Sequence, residues 1–130
     1  MICIFRVGGS GLDVDAVLNS ATLRPYRIER IGVGRAKTNA LHYEISDREP
    51  GTSAELITAI EMFLNRNRND ISLIREMSGN DGLVLDVGLF FDAQEPIRTL
   101  NFPLRLLEVI ADLGLSLEFS AYGCAEALAD

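Results

Sequence analysis

The stretch IGVGRAKTN, residues 31–39, decides between two kinds of fold. Two close glycines, the bases Arg35 and Lys37, and then Thr38 suggest a phosphate loop. The alternative is a turn between two strands. A Walker loop needs G-x-x-x-x-G-K-[ST] between a strand and a helix. Here Gly32 and Gly34 stand only two apart, and a period-two run follows instead of a helical one. The dinucleotide fingerprint G-x-G-x-x-G fails as well, because Lys37 sits where the third glycine belongs. A polar connection with glycine between two extended runs reads as a hairpin.

The runs on either side agree. Pro25 begins an extended segment, PYRIERIGV, and Ala40 to Ser46 (ALHYEIS) alternates. Leu41, Tyr43 and Ile45 fall on one side of that strand, His42 and Glu44 on the other. Further out, Ile2 to Val7 (ICIFRV) is apolar on both faces near its start, which predicts a central strand. GGSG, residues 8–11, breaks it, and Asp13 is placed to cap a helix carrying Val14, Val17, Leu18 and Ala21 on one face. Backbone amides in that glycine turn could hold an anion, but Asp13 and Asp15 at the helix start would repel phosphate.

Thr52 and Glu55 form a capping-box pattern. The helix behind it places Leu56, Ile57, Ile60, Phe63 and Leu64 at helical spacing, and DISLIREM follows as a short second helix. After the turn cluster SGNDG, Leu83 to Phe91 (LVLDVGLFF) is a strand with Leu83, Leu85, Val87, Leu89 and Phe91 on one face. DAQEPIRTLN is a long loop carrying Asp92, Glu95 and Arg98. Pro103 opens the last helix where its missing N–H costs nothing. Leu106, Leu107, Ile110 and Leu113 are expected as its buried stripe, and Gly114 as its stop. Leu115 to Tyr122 (LSLEFSAY) is the closing strand. The order β-α-β-β-α-(α)-β-α-β, with one hairpin link, predicts a single α+β domain over residues 1–130. Its sheet should be mixed and largely antiparallel, with the helices packed on one face.

Composition narrows the function classes. The net charge is −7, Lys37 is the only lysine, and the arginines are scattered. That argues against a nucleic-acid backbone or an anionic membrane surface as partner, since both need clustered bases. No segment offers the ~20 apolar residues of a membrane span. The start, MICIFRVGGSGLD, has neither a basic n-region nor a long apolar run, so a cytoplasmic location is expected. Cys3 and Cys124 then read as reduced thiols, free to meet only if the first and last strands are neighbours. Two cysteines and one histidine make no structural zinc pattern, and no cofactor motif is present.

The run Leu18 to Arg35 (LNSATLRPYRIERIGVGR), with Leu89 to Gly123 much later, resembles an uncharacterised bacterial family, the domain of unknown function numbered 4279. The likeness is one of spacing and texture. It is clearest at the Pro25 strand with its glycine turn, at Leu83 to Leu113, and at the closing strand from Gly114 to Tyr122. Ser120 stands where that family alternates a second acid after Glu118, and the chain has no Trp where the family carries one near Leu41 to Ile45. The resemblance implies a fold and a bacterial cytosolic setting, and it implies no activity.

Strand alternation groups one further set of residues. The sheet side away from the helices should show His42 and Glu44, then Val84, Asp86 and Phe90, then Ser116, Glu118, Ser120 and Tyr122. As a binding face it would have an apolar centre of Phe90, Val84 and Tyr122 with acids at its rim. A catalytic version would use His42 as base with Asp86 or Glu118 orienting it, and the same three could be imagined on a metal. No nucleophile motif supports catalysis. The expectation is therefore a protein-interaction module, an immunity-like inhibitor or a homodimer, acting through this face. A small-ligand binder with a pocket between sheet and helices is the alternative, and an enzyme comes third.

Overall fold

Alternation along the first strand sets the two faces of the sheet. In β1 (Ile2–Gly9), Cys3, Phe5 and Val7 are buried, while Ile2, Ile4 and Arg6 between them are half-buried. The computed structural model describes residues 1–46, 52–77, 79–91 and 99–123. Along the chain follow α1 (Val14–Ser20), β2 (Arg27–Glu29), β3 (Asn39–Glu44), α2 (Ser53–Arg66), α3 (Arg68–Glu76), β4 (Leu83–Phe91), α4 (Leu104–Asp112) and β5 (Leu115–Gly123). The strands form one sheet in the order β2-β3-β1-β4-β5. β1 is central as its two-sided apolar start predicts, antiparallel to β3 on one side and to β4 on the other. β2 and β3 are antiparallel, and only β4 and β5 run parallel, joined through α4. The expected α+β class with a mixed, largely antiparallel sheet is what the chain forms.

The residues 31–39 lie in the hairpin connection between β2 and β3. Val33 N–H donates to Arg30 O and Ala36 N–H to Val33 O, making two successive turns. Gly32 (φ +82°) and Gly34 (φ +62°) supply left-handed backbone that a side chain would strain. No helix follows, so nothing there can cradle a phosphate in the Walker manner.

One side of the sheet carries the helices. α1 packs near β3, α2 over β1 and α4 over β5. Phe5, Leu41, Tyr43, Leu56, Ile60, Leu85 and Leu106 meet in a single buried cluster between the layers. The caps form where the sequence puts them: Asp13 Oδ1 accepts from Ala16 N–H at 3.0 Å, and Thr52 Oγ1 from Glu55 N–H at 3.1 Å. Asp70, in the first turn of α3, ties the α1–β2 connection to that helix. Its Oδ2 accepts from Thr22 N–H (3.0 Å), Thr22 O–H (2.7 Å) and Leu23 N–H (2.8 Å).

Two local expectations need correction. The extended run from Pro25 is a strand only over Arg27 to Glu29, with Tyr26 N–H just before it donating to His42 O at 2.9 Å, because the chain turns away at Arg30. Leu107 is not in the buried stripe of α4 and is 41% exposed. The helix lies over the sheet's last strand, so only the side bearing Leu106 and Ile110 finds cover. Phe63 is only partly buried beside the core. The meeting of Cys3 with Cys124, and the loop residues Asp92, Glu95 and Arg98, lie outside the described residues. Cys3 itself is buried in the core, and burial, with the charge of Asp86 added, pushes its thiol pKa far up, which disfavours the nucleophilic thiolate.

Candidate functional site

The opposite side of the sheet carries no helix among the described residues. Cross-strand register assembles it in rows. One row runs Arg27, His42, Arg6, Val84, Ser116, and the next runs Glu44, Ile4, Asp86, Glu118. Beyond them Ile2, Gly88 and Ser120 align, and then Phe90 beside Tyr122. Every residue that strand alternation assigned to this face stands on it: His42, Glu44, Val84, Asp86, Phe90, Ser116, Glu118, Ser120 and Tyr122.

Arg6 is the residue that organises the middle of the face, and the residue-by-residue alternation did not single it out. Its guanidinium donates to Asp86 Oδ2 at 3.0 Å and to Glu118 Oε2 at 3.1 Å, spanning three strands. Asp86 also receives a long 3.5 Å contact from the Ser120 hydroxyl. The period-two pattern of ICIFRV does place Arg6 opposite the core, so its side was legible; its partners were not.

His42 does not pair with Asp86 or Glu118. β1 lies between β3 and β4, so Arg6 stands between the imidazole and both carboxylates and takes them itself. The acid that reaches His42 is Glu29, one strand outward, with Oε1 3.3 Å from Nε2. That contact is poorly aligned as a hydrogen bond, and Nε2 is otherwise buried without a partner. Burial holds the His42 pKa below its ordinary value, with Arg27 and Arg6 acting the same way against the opposing charge of Glu29. The imidazole is thus neutral near pH 7. Glu29 is shared with Arg27, which reaches it at 3.0 Å. A base oriented by Asp86 or Glu118 is not built here. Among the described residues no group of three or more His, Cys, Asp or Glu side chains is placed to hold a metal ion.

The two ends of the face differ. At one end Phe90 and Tyr122 stack with ring centroids 5.4 Å apart. Gly88 leaves room there: a Cβ on it would meet Ile2 Cγ1 at 3.0 Å and Tyr122 Cε2 at 3.6 Å. At the other end the sheet is dented. Gly8 and Ala40 carry almost no side chain above the strands, and the hollow over them has a volume of about 420 Å³. Arg6, His42, Glu29, Asp81 and Val84 are among its lining. The turn before β4 is pressed against β1 to form that wall. Asp81 N–H donates to Gly8 O at 2.7 Å, and a Cβ on Gly9 would run into Gly79 O and come within 3.0 Å of Asp81 N. Glycine at position 9 is therefore required by close backbone approach, a reason no local pattern announces.

Charge on the face is lopsided. Glu29, Glu44, Asp81, Asp86 and Glu118 stand against Arg6 and Arg27. Comparison of the chain with models of protein families, with curated proteins and with solved structures finds no match. The functional reading therefore rests on the geometry of this face. None of the helices among the described residues is long and apolar enough to cross a membrane.

Proposed function

We propose that the chain is a protein-interaction module whose open sheet face receives a basic partner protein. The observation that carries this reading is the side of the sheet without a helix among the described residues: an ionic centre with carboxylates in excess, flanked by an aromatic pair at one end and a dent at the other. Antiparallel sheets often leave one face to water, and such a face is usually evenly polar. Here the half-buried Ile2, Ile4, Val84 and Phe90 interrupt the polar surface. Carboxylates around an apolar centre fit a partner that brings Arg or Lys to the rim, and they speed its approach by steering. The dent over Gly8 and Ala40, walled by Glu29 and Asp81, suits one inserted cationic side chain. An inhibitor of a basic protein, of the kind found in toxin–immunity pairs, is the concrete form of this reading.

The small-ligand alternative, with its pocket between sheet and helices, gains no support from the interior. Phe5, Leu41, Tyr43, Leu56 and Ile60 fill that space and are fully buried.

The experiment is native mass spectrometry of the chain isolated gently from its own cells, compared with Phe90→Asp and Glu29→Lys. A basic protein bound to the natural chain and lost from both variants is the expected result. A partner retained by both but lost on substitution of Met62, exposed on α2 of the helical side, would overturn it.

A further inference from the structure

The two edges of the sheet are built differently. β2 is three residues long, follows directly on Pro25 and Tyr26, and carries Arg27 and Glu29. Short length, charge and a nearby proline are the usual protections of a strand edge. β5, at the opposite edge, is neither short nor near a proline, and it is almost uncharged. It runs nine residues, LSLEFSAYG, with no Lys, Arg or Pro, and its one charge, Glu118, is already held by Arg6 at 3.1 Å. Among the described residues no strand pairs with its outer side. Unpaired N–H and C=O groups along such a strand are a template for another strand.

A second apolar feature lies beside this edge. Leu104 is 71% exposed and Leu107 41%, although α4 already buries Leu106 and Ile110. On a helix of 3.6 residues per turn, Leu104, Leu107 and Ala111 fall to one side of the buried stripe and Arg105 to the other. Arg105 reaches Glu61 of α2 at 3.0 Å, so its side faces the neighbouring helix. The leucine side therefore faces away from α2, toward the free edge of the sheet. Phe119 of β5 continues the strip: it lies on the helical side, meets Phe102 edge-on at 5.7 Å, and stays half exposed.

We infer that this edge is a homodimer interface: β5 pairs antiparallel with β5 of a second copy, and the outer side of α4 packs on its two-fold mate. A two-fold axis at Phe119 pairs that residue with itself, Glu118 with Ser120, Leu117 with Ala121, and Ser116 with Tyr122. No like charges stand directly opposite in that register, and the diagonal pair of Glu118 carboxylates is each held by its own Arg6, so the strand is complementary to itself, as an isologous contact requires. α4 packs along β5, so a two-fold axis at that edge turns the outer sides of the two helices, with Leu104 and Leu107, toward each other. A foreign extended peptide could satisfy the strand edge but would leave Leu104 and Leu107 in water. A second copy answers both features at once. The product is a continuous ten-stranded sheet whose two open faces lie side by side, with a Phe90–Tyr122 stack on each side of the axis.

This inference concerns the edge and the helical side, so it stands apart from the partner-binding reading of the open face. Analytical ultracentrifugation of the full chain tests it, with Leu107→Lys, Ala121→Lys, Phe90→Asp and Met62→Lys as variants and hydrogen exchange alongside. The natural chain is expected to sediment at twice its 14.3 kDa. The β5 amides that point away from β4 should exchange slowly. Leu107→Lys and Ala121→Lys should both give folded monomers in which those amides exchange fast, while Met62→Lys stays dimeric. A natural chain that is monomeric at all concentrations overturns the proposal, and so does a monomer with those amides protected, which would mean the chain covers its own edge. A dimer broken by Phe90→Asp but not by either lysine at the edge also overturns it and moves the contact to the open face.

Discussion

Replacing Arg6 by methionine should expose how much the open face depends on one guanidinium. Methionine keeps most of the apolar stem and removes only the charged fork. The bond to Asp86 is half-buried, with the two side chains 30% and 18% exposed, so about 1–2 kcal/mol is expected from it. The bond to Glu118 is worth less, about 0.5 kcal/mol, because that carboxylate is 51% exposed and water competes for it. Asp86 and Glu118 are direct neighbours in the β4–β5 register, so removing Arg6 leaves like charges side by side at a further cost of about 0.5 kcal/mol. The total loss is about 2–3 kcal/mol at low salt. Urea unfolding followed by circular dichroism measures it, read as a fall in midpoint at constant slope. Double-mutant cycles divide it: the coupling of Arg6 to Asp86 (Arg6→Met with Asp86→Asn) should be about 1–2 kcal/mol, and to Glu118 (with Glu118→Gln) about 0.5 or less. Added salt should shrink the repulsive part. A loss below about 0.5 kcal/mol, or a larger coupling to Glu118 than to Asp86, would refute the reasoning, because burial would then not rank the two bonds.

His42 is the only histidine, so its ring proton can be followed alone by NMR. Its titration midpoint should fall below the ordinary histidine value, and Glu29→Gln should lower it further by removing the opposing charge. The unfolded chain then takes up the proton at higher pH than the folded one, so stability is lost as pH falls through and below about 6.5, and His42→Gln should flatten that slope; an unchanged slope would mean the ring titrates freely. Gly9→Ala should cost about 1–3 kcal/mol in thermal or urea unfolding, since its Cβ meets the backbone of the 79–81 turn and no flexible side chain can yield; a neutral result would show that the turn moves aside. Tyr43→Phe should change stability by less than about 0.5 kcal/mol or raise it, because the buried hydroxyl has no hydrogen-bond partner among the described residues. A loss above about 1 kcal/mol in the same assay would reveal a bound water or other partner for it.

What could be read from the chain alone were the features set by neighbours in sequence. Period-two burial in ICIFRV, ALHYEIS and LVLDVGLFF assigned the strands and their faces, and the caps at Asp13 and Thr52 marked where two helices start. The hairpin at Gly32 and Gly34 was legible because positive φ is a local demand with a known residue preference. The class of fold, and which side chains share the open face, follow from these. Strand order does not, since pairing is made by residues far apart in sequence. Placing β1 between β3 and β4 gave Arg6, not His42, the carboxylates of Asp86 and Glu118, and left Glu29 to His42. Leu107 shows the same limit: helical spacing names the residues near the buried stripe, but how wide that stripe is depends on what stands beside the helix. At the edge of this sheet the described structure places nothing there, and the water-facing leucines and the bare β5 edge are decided by tertiary structure alone.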